Sequence, residues 1–346
     1  MKLRSSLLFF SVPMLSFLTG CLSYHRGPMP GEPQATYTHV DGVRLRYLDS
    51  AEKHPEDLQK PTVVLVHGFA SSLENWIGVI PQLQPTHRIL AYDLKGFGWS
   101  ERPEGDYSNL AQARLLLGLM QQRGIEHASL VGHSWGTSVV LSAVVHAPSK
   151  VDRFVLISPY AYNAQIPTFF HWAQAPGVGE TLFSAFYKSA HDERIGMGFY
   201  DKKWVTQDLV DAVERAMDRP GTVAAALASA RGQNFGSLEG RYRTVEQQAL
   251  VMVGRDDTVA TPHFARKLAR DLKNARYVEY DECAHFPMIE NQSQTNRDLL
   301  AFLDPKAIQD AANGAPRPAP APGAVEPPAT PNGTMPATPS QDKDTP

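Results

Sequence analysis

Three short stretches of this chain carry residue types that could do nucleophilic chemistry together. Gly132-His133-Ser134-Trp135-Gly136 follows an apolar run and precedes a helix-like segment. Flanking glycines let such a strand-turn-helix push its central Ser out at the tip, with a helix N-terminus behind it that favours negative charge. A Ser hydroxyl is a weak nucleophile unless a base takes its proton and a third group orients that base. The chain places acids at Gly254-Arg255-Asp256-Asp257-Thr258 and a histidine at Asp281-Glu282-Cys283-Ala284-His285-Phe286-Pro287, each just beyond an apolar run. At about 7% each of Gly and Ser, G-x-S-x-G arises by chance roughly one time in ten in a chain of this length. The three placements together, in the order Ser, acid, His, are what give Ser134 its meaning.

These residues must be carried by elements that end near one another. Thr38-His39-Val40 and Val43 to Leu48 flank Asp41-Gly42, a hairpin signal. Pro61 to His67, His87 to Asp93, Ala128 to Val131 and Val151 to Ser158 read as strands, and Leu73 to Leu83, Leu110 to Arg123 and Thr137 to His146 as helices between them. Strands alternating with helices predict an α/β fold: a doubly wound, mostly parallel sheet with helices on both faces. The alternation breaks at Pro159, where aromatic residues crowd helical segments up to about Val245. It resumes with strands at Gln248 to Val253 and Arg276 to Tyr280 and helices at Pro262 to Leu272 and Ser293 to Leu303. The predicted organisation is core 36–158, a mainly helical cap 159–245, core 246–304 and a Pro/Ala-rich tail 305–346 too poor in apolar side chains to fold.

Over this span the chain resembles the α/β-hydrolase superfamily. His67-Gly68-Phe69 is similar to its oxyanion-loop motif, Asp93 to Ser100 to its D-x-x-G-x-G-x-S loop, Gly132 to Gly136 to its nucleophile elbow, Gly254 to Asp257 to its G-x-x-D motif and His285-Phe286 to its H-F. Ala284 departs from the Gly that many members carry before the His. The resemblance implies Ser134 as nucleophile, His285 as base and Asp257, by motif spacing, as the acid. It implies an oxyanion hole from the backbone N–H groups of Phe69 and Trp135. The alternative acid position of the family, after Val155-Leu156-Ile157, holds Ser158-Pro159-Tyr160 and no carboxylate. His67 and His133 read as structural histidines, Asp93 and Ser100 as residues that hold their loop. Asp281, Glu282 and His285 lack the spacing of a metal site, so no metal and no cofactor are expected.

The implied activity is a serine hydrolase acting through an acyl-enzyme on an ester or related acyl bond of a small hydrophobic substrate. C–C bond hydrolysis, amide or N-terminal peptide cleavage and perhydrolysis share the triad and stay open, as does a non-catalytic envelope binding protein. Ser at the elbow argues against dehalogenase or epoxide hydrolase chemistry, which uses Asp there in this superfamily.

The 346 residues carry a net charge of −3, with 42% hydrophobic and 20% charged residues, so no basic footprint points to nucleic acid. Met1-Lys2-Leu3-Arg4 and the apolar Leu7 to Leu18 read as an export signal over 1–20. Leu18-Thr19-Gly20-Cys21 resembles the lipobox of bacterial lipoproteins, which implies a lipid-anchored Cys21 in the cell envelope. Leu22 after it, rather than Asp, resembles the pattern that sorts to the outer membrane. Residues 21–35, rich in Gly and Pro, read as a tether. Cys283 is then the one remaining cysteine and reads as a buried thiol.

Overall fold

The computed structural model describes residues 22–187 and 195–304; the signal, Cys21 and the tail lie outside the described residues. Eight strands form one sheet in the order β1-β2-β4-β3-β5-β6-β7-β8. They are β1 Thr36–Val40, β2 Val43–Asp49, β3 Thr62–Val66, β4 Arg88–Tyr92, β5 Ala128–His133, β6 Val151–Ile157, β7 Gln248–Gly254 and β8 Ala275–Tyr280. The first two pair as a hairpin in which Asp41 and Gly42 both take positive φ, as a tight two-residue turn demands. β2 runs antiparallel to β4, and every pairing from β4 to β8 is parallel.

The apolar runs seen in the sequence are strands buried on both faces. Val64 and Val66 of β3 point into one cluster with Leu116, Leu119, Val140 and Val144, while Val63 and Leu65 point into the other with Trp76, Leu83, Leu299 and Phe302. Period-two alternation thus serves two cores, one on each side of the sheet. The first side chains come from α2 (Asn109–Gln122) and α3 (Gly136–His146), and the second from α1 (Ile80–Leu83) and the final long helix. α2 starts at Ser108, whose hydroxyl accepts from the Ala111 N–H at 3.2 Å, and ends before Gly124 at φ +67°.

Two expectations are corrected. Leu73 to Leu83 is not one helix but a 3-10 turn, Leu73–Trp76, followed by the single turn α1. Gly78 and Pro81 interrupt the run, and the Leu73 N–H is taken by Asp93 Oδ1 at 2.7 Å. Nor does the chain before Thr36 hang free. His25 forms a two-bond antiparallel bridge with Arg102, Met29 is buried, and Glu32 pairs with Arg44 at 2.8 Å. A Gly/Pro-rich composition lowers local order, but these partners restore it.

Between β6 and β7 the described residues form only helices and loops. The helices are α4 (Thr168–Trp172), α5 (Val178–Phe186), α6 (Gln207–Met217), α7 (Thr222–Arg231) and α8 (Gly236–Glu239). Phe170, Ala173, Phe183, Tyr187, Ala226, Leu227 and Ala230 make this cap's own small core. The chain then closes with α9 (Pro262–Asp271), α10 (Pro287–Glu290) and α11 (Gln292–Leu303). Among the described residues, no helix is long and apolar enough to cross a membrane.

Candidate active site

The chain leaves β3 for β4 on one side and then returns to β5 on the other, so the switch point of the sheet lies between β3 and β5. Ligand crevices in doubly wound sheets open at such a point, beyond the strands' carboxyl ends. His67-Gly68-Phe69 leaves β3 there and Ser134 leaves β5. Ser134 sits at φ +51°, a left-handed conformation that costs a non-glycine residue roughly 1–3 kcal/mol. The packing that enforces it is visible at the flanking glycines. A Cβ on Gly132 would stand 2.9 Å from the Gly136 carbonyl oxygen, and one on Gly136 would stand 2.3 Å from the His67 carbonyl oxygen. A Cβ on Gly68 would reach within 2.9 Å of the Ser134 Cβ, so the His67-Gly68-Phe69 loop lies directly against the elbow.

His285 and Asp257 arrive from the ends of β8 and β7. Ser134 Oγ lies 2.9 Å from His285 Nε2, and His285 Nδ1 lies 2.9 and 3.1 Å from the two oxygens of Asp257. With Nδ1–H donating to the carboxylate, Nε2 is left as the acceptor that faces the Ser hydroxyl. Asp257 is 2% exposed. Burial alone would raise its pKa, but the His285 charge and hydrogen bond, the Ala260 N–H and the nearby Ser158 hydroxyl outweigh it and hold the carboxyl below its usual range. Its Oδ1 also accepts the Val259 and Ala260 N–H groups at 2.9 and 2.8 Å, which fix the carboxylate plane. Asp256 is exposed and takes no part in this arrangement.

The two other site histidines brace the loops. His67 Nε2 accepts the Leu94 N–H at 2.9 Å, so its proton sits on Nδ1 and donates to the Gly68 carbonyl at 2.8 Å. His133 Nε2–H donates to the His285 backbone carbonyl at 2.8 Å, which ties the elbow to the base. Burial, then the neighbouring His285, lowers the His133 pKa to about 3, so it stays neutral. Asp93 holds its loop as expected: its carboxylate takes the Leu73 and Trp99 N–H groups and Arg46, while its backbone carbonyl takes the Ser100 hydroxyl at 2.6 Å. Cys283 is a free, fully buried thiol whose pKa burial pushes up. No three His, Cys, Asp or Glu side chains among the described residues group as a metal site requires.

Three site contributors escape a motif reading. Ser158, at φ +48° after β6, stands beside Asp257. Its signal was the position itself, read only for a carboxylate. Glu290 accepts the Ala284 and Phe286 N–H groups at 3.0 and 3.4 Å on one oxygen and the Tyr200 N–H at 2.7 Å on the other. It therefore clamps the base loop to the cap. The Gly198 carbonyl accepts the His285 N–H at 3.0 Å, a contact from the cap that no spacing in the sequence announces.

Aromatic rings pack around Phe69, next to the elbow. Phe69 packs against Phe97, Trp135 and the cap's Phe170 with ring centroids 5.2, 6.1 and 5.7 Å apart. Trp135 is anchored by its indole N–H to Asn109 at 3.1 Å.

Residues 61–193 match a family model described as alpha/beta hydrolase fold. A 2-hydroxymuconate semialdehyde hydrolase of Pseudomonas sp. (strain CF600) is 26% identical over 282 residues, covering 77% of this chain and 94% of that protein. The solved 2-hydroxy-6-oxo-6-phenylhexa-2,4-dienoate hydrolase of Rhodococcus sp. strain RHA1 superposes with a TM-score of 0.66 at 25% identity, over 78% of this chain and 98% of the other. An enol-lactonase from Burkholderia xenovorans LB400 has the same TM-score, 0.66, at 23% identity, over 78% of this chain and 99% of its own.

Proposed function

We propose that this chain, a hydrolase of the α/β-hydrolase fold, works as a serine hydrolase on an acyl bond of an apolar substrate, anchored in the cell envelope through Cys21. The observation that carries the catalytic reading is the unbroken line from Ser134 Oγ through His285 to Asp257, with both links at 2.9 Å. Ser134 attacks the carbonyl carbon and its proton passes to His285 Nε2. The oxyanion develops toward the Phe69 and Trp135 N–H groups, each such donor being worth about 3 kcal/mol in catalysis of this type. His285 returns the proton to the leaving group, which departs and leaves the acyl-Ser134 ester. Water then attacks, gives its proton to His285, and collapse releases the acid and restores Ser134.

Asp257 stays ionised through this cycle and stabilises the imidazolium. The rings of Phe69 and Phe170, where the core loop meets the cap, support an apolar acyl or aryl group over a charged one. A second reading, hydrolysis of an activated C–C bond next to a carbonyl, is supported by the relatives whose names describe semialdehyde and dienoate hydrolases. The same attack on a carbonyl begins both reactions, and only the leaving group differs, a carbanion equivalent instead of an alkoxide.

The purified chain is to be tested on p-nitrophenyl esters of increasing acyl length beside a 2-hydroxy-6-oxo-dienoate. Faster turnover of the esters supports the first reading. Faster turnover of the dienoate supports the second. Loss of both in Ser134→Ala is expected either way.

A further inference from the structure

Three consecutive peptide N–H groups around the proposed base are held from outside the sheet. The Ala284 and Phe286 N–H groups donate to one oxygen of Glu290 at 3.0 and 3.4 Å, and the His285 N–H between them donates to the Gly198 carbonyl at 3.0 Å. The His285 carbonyl is taken in turn by His133 Nε2–H at 2.8 Å. The backbone of His285 is thus gripped at its N–H and its carbonyl, while its ring hydrogen-bonds Asp257 and Ser134.

Glu290 is the last residue of the short helix α10, and its own N–H donates to the Phe286 carbonyl at 2.9 Å. Its side chain folds back over the start of the same turn, so one residue ties the base loop to the helix that follows. The second carboxylate oxygen accepts the Tyr200 N–H at 2.7 Å. Tyr200 belongs to a compact cap strip in which the Gly198 and Phe199 N–H groups donate to the Ile195 and Gly196 carbonyls at 3.0 and 3.3 Å. Lys202 Nζ donates to the Gly196 carbonyl as well. The strip lies against the base loop: Phe199 stacks on Phe286 with centroids 4.8 Å apart, and a Cβ on Gly198 would stand 2.8 Å from the Phe286 ring.

Glu290 is half-buried, and burial raises its carboxyl pKa although the N–H groups of Tyr200, Asp201, Ala284 and Phe286 oppose the rise. An uncharged side chain would avoid that desolvation. Only a carboxylate, however, accepts on two oxygens at once, here one toward the base loop and one toward the cap.

We propose that Glu290 is a positioning residue for the reaction: its carboxylate fixes the backbone of His285 so that Nε2 stays within proton-transfer reach of Ser134 Oγ, and it takes its own orientation from the cap strip at Tyr200. This rests on the serine-hydrolase reading above. A misplacement of about 1 Å imposed from outside the chemistry costs about 100-fold in rate. His285 moves a proton in both acyl transfer and hydrolysis, so a displaced base lowers kcat and leaves KM little changed.

The test compares two substitutions of unequal severity. Glu290→Ala removes every acceptor, while Glu290→Gln keeps one carbonyl oxygen, which serves Ala284 and Phe286 but leaves the Tyr200 N–H unpaired. Both are assayed on a p-nitrophenyl ester and for the rate of fluorophosphonate labelling of Ser134, with folding followed by circular dichroism. A kcat loss of about 100-fold is expected in Glu290→Ala and a clearly smaller one in Glu290→Gln, with KM within about threefold in both and labelling slowed in the same order. A folded Glu290→Ala with kcat within about threefold of wild type, a loss carried by KM, or a Glu290→Gln no better than Glu290→Ala would each overturn the proposal. If Glu290→Ala does not fold, Glu290→Gln decides: a reduced kcat at unchanged KM supports the role, and a kcat within about twofold of wild type overturns it. Ser134→Ala tells this failure from that of the wider reading. A wild type that neither turns over nor labels, or turnover that survives Ser134→Ala, sinks the serine-hydrolase reading and the proposal with it. Turnover lost in Ser134→Ala but kept in Glu290→Ala sinks the positioning role alone.

Discussion

The strand-end loops and the cap hold the same site by different means. On the sheet side the side chains proposed to be catalytic are fixed by directional bonds: Asp257 by two backbone N–H groups, His285 by Asp257, and the His285 carbonyl by His133. On the cap side, Phe170, Phe183 and Tyr187 meet through ring packing, and α6 contributes no buried residue. The cap's directional ties to the core run along its margins, where Tyr162 donates to Asp271 at 2.8 Å and Arg241 to the Val145 carbonyl at 3.0 Å. Arg219 lies 3.5 Å over the Trp99 ring, Arg102 donates to Thr222 at 3.1 Å, and Gly198 and Tyr200 bind the base loop. Hydrogen bonds fix angles, which proton transfer needs, while apolar contact fixes only proximity, which admits varied acyl groups. On the proposed function, chemistry falls to the core and selectivity to the cap.

Substitutions can break that division of labour. The largest effect is expected on the core side: Asp257→Asn should cut kcat by about 10⁴-fold through the wrong His285 tautomer, as in other triads, with KM nearly unchanged. A loss below tenfold in steady-state assays would remove Asp257 from the mechanism. Next is Gly68→Ala, where the added methyl stands 2.9 Å from the Ser134 Cβ. A displacement of about 1 Å at the nucleophile is expected to cost about 100-fold in kcat. On the cap side, Phe170→Ala opens a gap between Phe69 and Phe183. It should cost about 3–5 kcal/mol of stability in denaturant titrations and shift KM across an ester series while leaving short-ester kcat within a few-fold. A fall in short-ester kcat as large as that of Gly68→Ala would erase the contrast between the regions.

A smaller effect concerns pH. His133 has a folded pKa of about 3, below its unfolded value, so the unfolded chain binds its proton first as pH falls. Its contribution is complete above the unfolded value of about 6.5 and is lost progressively down to about 3, with a limiting slope of about 1.4 kcal/mol per pH unit. His133→Asn should lower stability at pH 7 through the lost bond to the His285 carbonyl, yet show a shallower decline from pH 6.5 to 4. An unchanged slope in urea titrations would contradict a neutral buried His133. Asp257 acts in a lower window. Its depressed carboxyl pKa stabilises the fold above about pH 4 and that share is lost below it. Smallest of all, Cys283→Ala should leave kcat within about twofold, because the thiol is buried and outside the triad.

The same contrast explains what could be read from the chain. That Ser134, Asp257 and His285 come together was legible because apolar runs ending in short motifs locate strand ends, and strand ends in a doubly wound sheet converge. The hairpin at Asp41-Gly42 and the end of α2 at Gly124 were legible because local backbone chemistry dictates them. Glu290 and Gly198 were not, since their roles depend on how the cap settles on the core, and one of the two acts through its backbone alone. The strap from Leu22 to Glu32 was hidden for a related reason. Glycines and prolines announce a linker, but its order comes from Arg102, Glu101 and Arg44, far along the chain.

If Ser134 forms a covalent acyl intermediate, the mass of protein acid-quenched during turnover of a p-nitrophenyl ester reveals it. One acyl group is expected on the peptide containing Ser134 and none in Ser134→Ala. Turnover with no adduct on Ser134, or with the same adduct in Ser134→Ala, would contradict it.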